Sequence, residues 1–163
     1  MIRKALVGIL LIVGVSAQAD VTRHPLPNNS TFPISMAVEV SPDTTLIYHS
    51  GQLPDVANPD ADKSSREYYG DTETQALSVF KKIGVSLENL GVGYGDIIKM
   101  TVFLVGDPEN DGRMDFGGFM KAYTLYFGTE DQPNKPARSA FQIAGLARPN
   151  VFIEVEFVIA RPK

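Results

Sequence analysis

Along residues 34–40 apolar side chains alternate with small or polar ones: Ile34, Met36, Val38 and Val40 against Ser35, Ala37 and Glu39. A two-residue period marks a strand with one buried face. Pro42 and Asp43 supply a turn, and residues 45–50 read as a second strand, so a hairpin is expected. Residues 53–71 are polar and broken by Pro54 and Pro59. They read as a long loop, a class of segment that often carries function. The period then changes. Leu77, Phe80, Ile83, Leu87 and Leu90 recur every three or four residues, which predicts a helix with one apolar stripe. Thr72 and Gln75 fit a capping box at its start, and Gly91 fits a left-handed stop at its end.

Residues 97–105 are β-rich and mostly apolar, as expected of a central strand, and a polar loop covers 106–115. Phe116, Phe119, Tyr123 and Phe127 form a second helical stripe closed by Gly128, with Gly117 and Gly118 weakening its first turn. Pro133 and Pro136 bracket a stiff linker before a strand over 138–143. In the last segment Val151, Ile153, Val155, Phe157 and Ile159 share one face, while Glu154 and Glu156 project from the other. The order is β-β-α-β-α-β-β. Each helix has one apolar stripe that needs a sheet face, so the pattern predicts an α+β fold: a mixed sheet with both helices on one side.

The first residues break this pattern. Arg3 and Lys4 precede an apolar run from Ala5 to Val15, which ends on Ala17-Gln18-Ala19. A basic start, an apolar stretch and a small-x-small site make a secretory signal peptide over 1–19, cleaved after Ala19. The run is shorter than the about 20 residues of a membrane span, so no membrane attachment is expected after cleavage. Residues 20–33, with Pro25, Pro27 and Pro33, read as an extended arm, and 34–163 as a single domain. Asn28 and Asn29 each open a glycosylation sequon, relevant only to a eukaryotic secretory route. The short basic region and Ala-Gln-Ala site favour a bacterial periplasm.

Composition narrows the chemistry. The 163 residues include 15 Lys plus Arg, 19 Asp plus Glu, two His and no Cys. Lack of Cys removes disulfides, Cys-ligated zinc, iron–sulfur clusters and a thiol nucleophile. His24 and His49 alone do not supply a His-rich metal site, so no such site is expected. The net charge of −4, more negative once Arg3 and Lys4 are removed, argues against nucleic acid as a partner.

Four short motifs invite a function and then lose it. Asp107-x-Glu109-x-Asp111-Gly112 opens like a calcium loop, but the twelfth place is Gly118 rather than the required Glu, so it reads as an acidic surface loop. His49 has no partner at a triad-like spacing. Gly91-x-Gly93-x-Gly95 follows a helix, whereas a phosphate cradle must precede one. Tyr68 and Tyr69 beside Arg66 suggest base stacking, but without a basic stripe they read as loop aromatics.

Arg138 stands apart: a guanidinium at the start of a short strand. It is either half of a structural ion pair or a carboxylate clamp, because its planar fork grips a carboxylate at two points. Glu154 is then its partner or a neighbouring base. Spacing leaves both readings open.

Five stretches bear on that choice: His49-Ser-Gly-Gln-Leu-Pro54, Thr74-Gln-Ala-Leu77, Gly95-Asp-Ile-Ile-Lys-Met-Thr-Val-Phe103, Pro136-Ala-Arg-Ser139 and Ile153-Glu-Val-Glu-Phe157. Together, over residues 33–161, they resemble the YjgF/RidA family of reactive-intermediate deaminases. The resemblance implies a chorismate-mutase-like fold and a homotrimer with clefts between subunits. It also implies hydrolysis of 2-imino acids and their enamine tautomers to 2-keto acids and ammonia, with no cofactor. It puts the carboxylate-binding Arg at Arg138, the water-positioning acid at Glu154, and pocket residues at Ser50 and Gly51. The family's pocket Tyr, Asn and Cys correspond to Ile34, Met120 and Ala140, which implies a more apolar pocket. The alternative is a non-enzymatic periplasmic trimer that binds small carboxylates or shields unfolded proteins. A ribonuclease ranks last for so acidic a chain.

Export is directly testable. The mature protein is expected in the periplasmic fraction with Asp20 as its first residue, by N-terminal sequencing. Recovery of Met1 on a cytosolic protein would overturn the leader assignment.

Overall fold

The computed structural model describes residues 21–161; the leader expected over 1–19 lies outside them. The elements run β1 Val21–His24, β2 Ala37–Val40, β3 Thr45–Gln52, α1 Thr72–Leu90, β4 Ile97–Val105, α2 Phe116–Tyr123, β5 Ala137–Ile143 and β6 Ile153–Arg161. Four of the strands form one mixed sheet in the order β3-β6-β4-β5. The β4 and β5 strands are parallel, and β6 runs antiparallel to both of its neighbours. Phe80, Ile83 and Leu87 of α1 join Phe119 and Tyr123 of α2 over Met100, Val102, Val155, Phe157 and Ile159 of the sheet, in one buried core. This is the expected α+β arrangement, two helices on a mixed sheet.

Pairing of the first strands departs from the hairpin expected over 34–50. The β2 strand pairs instead with β1 in a separate two-stranded sheet, with Val21 opposite Val40 and His24 opposite Ala37. The arm therefore carries a strand of its own. Asn28 and Asn29 adopt positive φ (58° and 52°), which folds the arm back on β2. Asn tolerates that left-handed region better than most residues, because its short amide bonds locally. Released from β2, β3 spends its length on β6, from Thr45↔Arg161 to Gln52↔Val155.

The α1 helix begins one residue earlier than the capping-box reading places it. Asp71 is the cap, its carboxylate accepting from Thr74 N at 2.8 Å. Gln75 is thereby freed for another task. Fully buried, it donates through Nε2 to Gly70 O at 2.9 Å and Asn150 O at 2.8 Å, and its Oε1 accepts from Phe152 N at 2.7 Å. One amide thus ties the helix start to the entry of β6. At the other end Gly91 takes φ 69°, and Val92 N bonds back to Leu87 O at 3.0 Å, the left-handed stop that was expected.

The α2 helix is shorter than its aromatic stripe. Thr124 Oγ1 bonds back to Met120 O at 3.0 Å, and tighter turns through Leu125 and Tyr126 end the helix at Tyr123. Phe127 still reaches the core, stacked on Tyr123 at 4.8 Å. The apolar period places the side chain correctly while the backbone leaves the helix.

Replacing Gln75 with Leu strands two carbonyls and an amide in the interior. Each unpaired buried group costs about 1–3 kcal/mol. Urea titration of Gln75→Leu is expected to show an unfolding free energy lower by about 2–5 kcal/mol with helix content unchanged.

Candidate functional site

Ladder register sorts the sheet's side chains onto two faces. Met100, Val102 and Leu104 of β4 are fully buried beneath the helices. Arg138 and Ala140 lie beside Met100 and Val102 in the parallel ladder, so they share that face. Phe103 pairs with Glu154, and Thr101 with Glu156, on the opposite, open face. Within one protomer, then, Arg138 and Glu154 point to opposite sides of the sheet.

Around Arg138 the surroundings are aromatic. Its guanidinium carbon is 4.2 Å from the Tyr123 ring centre, 5.0 Å from Phe119, 5.4 Å from Phe32 and 5.7 Å from Phe116. Nη1 donates to Met120 Sδ at 3.2 Å. The α2 helix supplies three of the rings and the sulfur because positions 116, 119, 120 and 123 fall on one helical face. The fourth ring comes from the arm, which is clamped along the start of β5. Ser35 N donates to Pro136 O at 3.0 Å, Ser35 Oγ to Lys135 O at 2.6 Å, and Tyr123 Oη to Pro33 O at 2.8 Å. Ile34 sits in this clamped segment between Phe32 and Ser35.

No carboxylate among the described residues lies within ion-pair distance of Arg138. The structural pairing with Glu154, left open by the sequence, is absent. Burial pushes the guanidinium below its ordinary pKa, opposed by Tyr123. Burial likewise pushes the Tyr123 phenol up, opposed by Arg138. Arginine nonetheless stays charged at any ordinary pH. A partly desolvated cation with rings over its faces, and with only neutral partners in the Met120 thioether and the Tyr123 hydroxyl, has donors to offer an incoming anion.

On the open face, Glu154 lies directly against Gly51. A Cβ built on Gly51 would stand 1.8 Å from Glu154 Oε1 and 2.8 Å from its Cγ, so only glycine admits the carboxylate there. The chain makes room with a register shift between His49 and Gln52, a bulge that contains Ser50 and Gly51. Ser50 is exposed. A cleft of about 420 Å³ opens beside Gly51, with Lys82 and Arg148 on its walls. The candidate residues thus form two groups: Arg138 with Met120, Ala140 and the arm near Ile34, and Glu154 with Ser50 and Gly51.

Other sequence candidates have structural employment. Asp107 is buried rather than on the surface, and its carboxylate is bonded to Arg66 Nη1 and to Glu109 N. The loop that opens like a calcium site is thus built on an ion pair. His49 stacks on Phe157 at 4.4 Å, with Nδ1 2.8 Å from Ser50 O. Tyr69 is buried against Tyr68. A larger groove of about 520 Å³, between α1 and residues 55–57, has Tyr69 in its wall but carries none of the residues grouped around Arg138 or Glu154. Phe32 was not singled out from the sequence. Its one signal there is an aromatic directly before Pro33 at the start of an alternating segment.

Comparison with known proteins agrees with this fold. The family model described as endoribonuclease L-PSP matches residues 28–161. The 2-iminobutanoate/2-iminopropanoate deaminase of Escherichia coli is 34% identical over 116 residues, covering 71% of this chain and 80% of that protein. A crystal structure of E. coli TdcF with bound serine is 26% identical, covers 79% of this chain and 92% of that one, and superposes with a TM-score of 0.55. A Rid-family protein of Yersinia pestis is similar in fold, with a TM-score of 0.62 at 18% identity, covering 85% of this chain and 98% of its own.

Among the described residues Arg138 has no partner acid to leave stranded. Replacing an unpaired, half-buried charge by an apolar chain of similar length relieves desolvation. Arg138→Met is therefore expected to unfold at the same denaturant concentration as the parent, or to be more stable by about 1–2 kcal/mol, in a chemical denaturation series. A loss of several kcal/mol would mean that the guanidinium holds the fold together.

Proposed function

The chain belongs to the YjgF/RidA family, and on that premise we propose that it hydrolyses 2-imino acids to 2-keto acids and ammonia. The observation that carries the reading is the guanidinium of Arg138, desolvated and without an acid partner. A fork with free edge donors matches the carboxylate common to every 2-imino acid. Gripped there, the substrate has its iminium carbon fixed in orientation. Glu154 then holds a water and takes its proton as the oxygen attacks that carbon. The proton passes to nitrogen in the resulting carbinolamine. The C–N bond breaks as the hydroxyl gives its proton back to the Glu154 carboxylate, ammonia leaves and the 2-keto acid remains. An iminium is electrophilic enough to need no further activation.

The opposite placement of Arg138 and Glu154 gives this reading a structural requirement. One protomer does not bring the two groups together, so the proposed site combines Arg138 of one copy with Glu154 of the next. The open face supports such an assembly. It exposes Tyr48 (77%), Phe141 (43%) and Leu46 (39%), apolar surface that a second copy would cover. A closed three-fold ring gives every cleft the same two contributors. Light scattering is expected to give a trimer at micromolar concentration, and a stable monomer would remove the shared site.

Activity is tested with imines made in place by an amino-acid oxidase. The protein is expected to accelerate their hydrolysis, and Arg138→Met or Arg138→Lys to slow it by tens to thousands of times, because loss of a buried charge contact costs about 2–5 kcal/mol. Imines from Leu or Met are expected to outpace 2-aminoacrylate by about 10–200-fold, since Met120 and the rings give the pocket apolar walls. Carboxylate binding without acceleration would point to the binding-protein alternative.

A further inference from the structure

The thioether of Met120 stands where a ligand of Arg138 must compete with it. Sδ is 3.2 Å from Nη1, on the guanidinium edge, while rings of Tyr123, Phe119, Phe32 and Phe116 lie over the group. A thioether is a weak acceptor on a flexible, unbranched chain, so a carboxylate displaces it readily. Met120 is half-buried, with part of its surface open to solvent, whereas Met100 beneath it is fully buried.

We propose that Met120 is an oxidation site whose sulfoxide closes the Arg138 anion site, an inference that rests on the carboxylate reading of Arg138. The oxidant is hydrogen peroxide. A sulfur lone pair attacks one peroxide oxygen, the S–O bond forms as the O–O bond breaks, and the proton on the attacked oxygen passes to the departing hydroxide, which leaves as water. Sulfur loses two electrons and the peroxide gains them. The new oxygen carries a large partial negative charge, and the cation beside it is Arg138. A hydrogen bond from a charged donor is about twice as strong as a neutral one. The sulfoxide thus holds a donor that the thioether only borrows, and the two-point grip on a carboxylate is lost.

The test uses the full mature protein, hydrogen peroxide, and pyruvate as a stable 2-keto acid probe. Peptide mass mapping is expected to find oxygen on Met120 and none on Met100. Calorimetry is expected to show pyruvate binding weakened roughly 10- to 100-fold by the treatment, the worth of one charge-assisted hydrogen bond. Met120→Leu, compared with its own untreated form, is expected to be insensitive to peroxide. The Arg138 side-chain NMR signal is expected to move on oxidation of the wild type and not of Met120→Leu. Unchanged affinity with Met120 fully oxidised would overturn the inference. Equal peroxide sensitivity in Met120→Leu would overturn it too, placing the effect at Met36 or Met114. Failure of the untreated wild type to bind pyruvate is a different result: it overturns the carboxylate reading itself.

Discussion

A guanidinium partly withdrawn from water, with no countercharge among the described residues, sets the terms for much of this molecule. Burial of Arg138 costs solvation that no acid among the described residues returns. The compensation is spread over π-faces and one sulfur, contributed by α2 and by the arm. Each supporting piece is itself pinned. Tyr123 is anchored by its hydroxyl to Pro33 O, and the arm by Ser35 to residues 135–136. The arm, the second helix and the edge strand β5 are therefore one unit built around a charge. Proteins keep so costly a group where its charge is put to use, and free donors in a dry aromatic setting bind anions more strongly than the same donors in water.

The second half of the proposed chemistry sits on the far side of the sheet. Glu154 rests on a glycine that only a bulge in β3 could place there. Strand alternation makes the separation unavoidable. Residues three apart along the ladder, Met100 beside Arg138 and Phe103 beside Glu154, must face opposite ways. A single protomer therefore holds two complementary halves with their backs to each other. The open sheet face, with its exposed Tyr48 and Phe141, gives a neighbouring copy a surface to meet. The proposed three-fold assembly resolves both features at once.

Periodicity determined the elements. The apolar stripes of α1 and α2, the central strand and the alternation of the last strand are all local, and each survives in the structure because nothing in the core contradicts it. Left-handed stops at glycine are equally local, and Gly91 behaves as its position predicts. The motif residues Arg138, Glu154, Ser50 and Gly51 could be named from the chain alone. What they touch could not. Asp71 and Thr72 are both good caps, and only the burial of Gln75 against Phe152, far along the sequence, decides between them. The partner of β2 is likewise a choice between two plausible neighbours, settled when two asparagines turn the arm back.

The sequence by itself determined element type, core faces and the short list of charged residues worth attention, because those depend on neighbours three or four positions away. Only the tertiary structure decided that Arg138 meets rings and a sulfur instead of an acid, that Phe32 crosses to it, and that Glu154 faces away. Those outcomes depend on strand order and ladder register. A shift of one residue in register reverses every side chain on a strand, and no local pattern near Arg138 records which face its strand will offer to the helices.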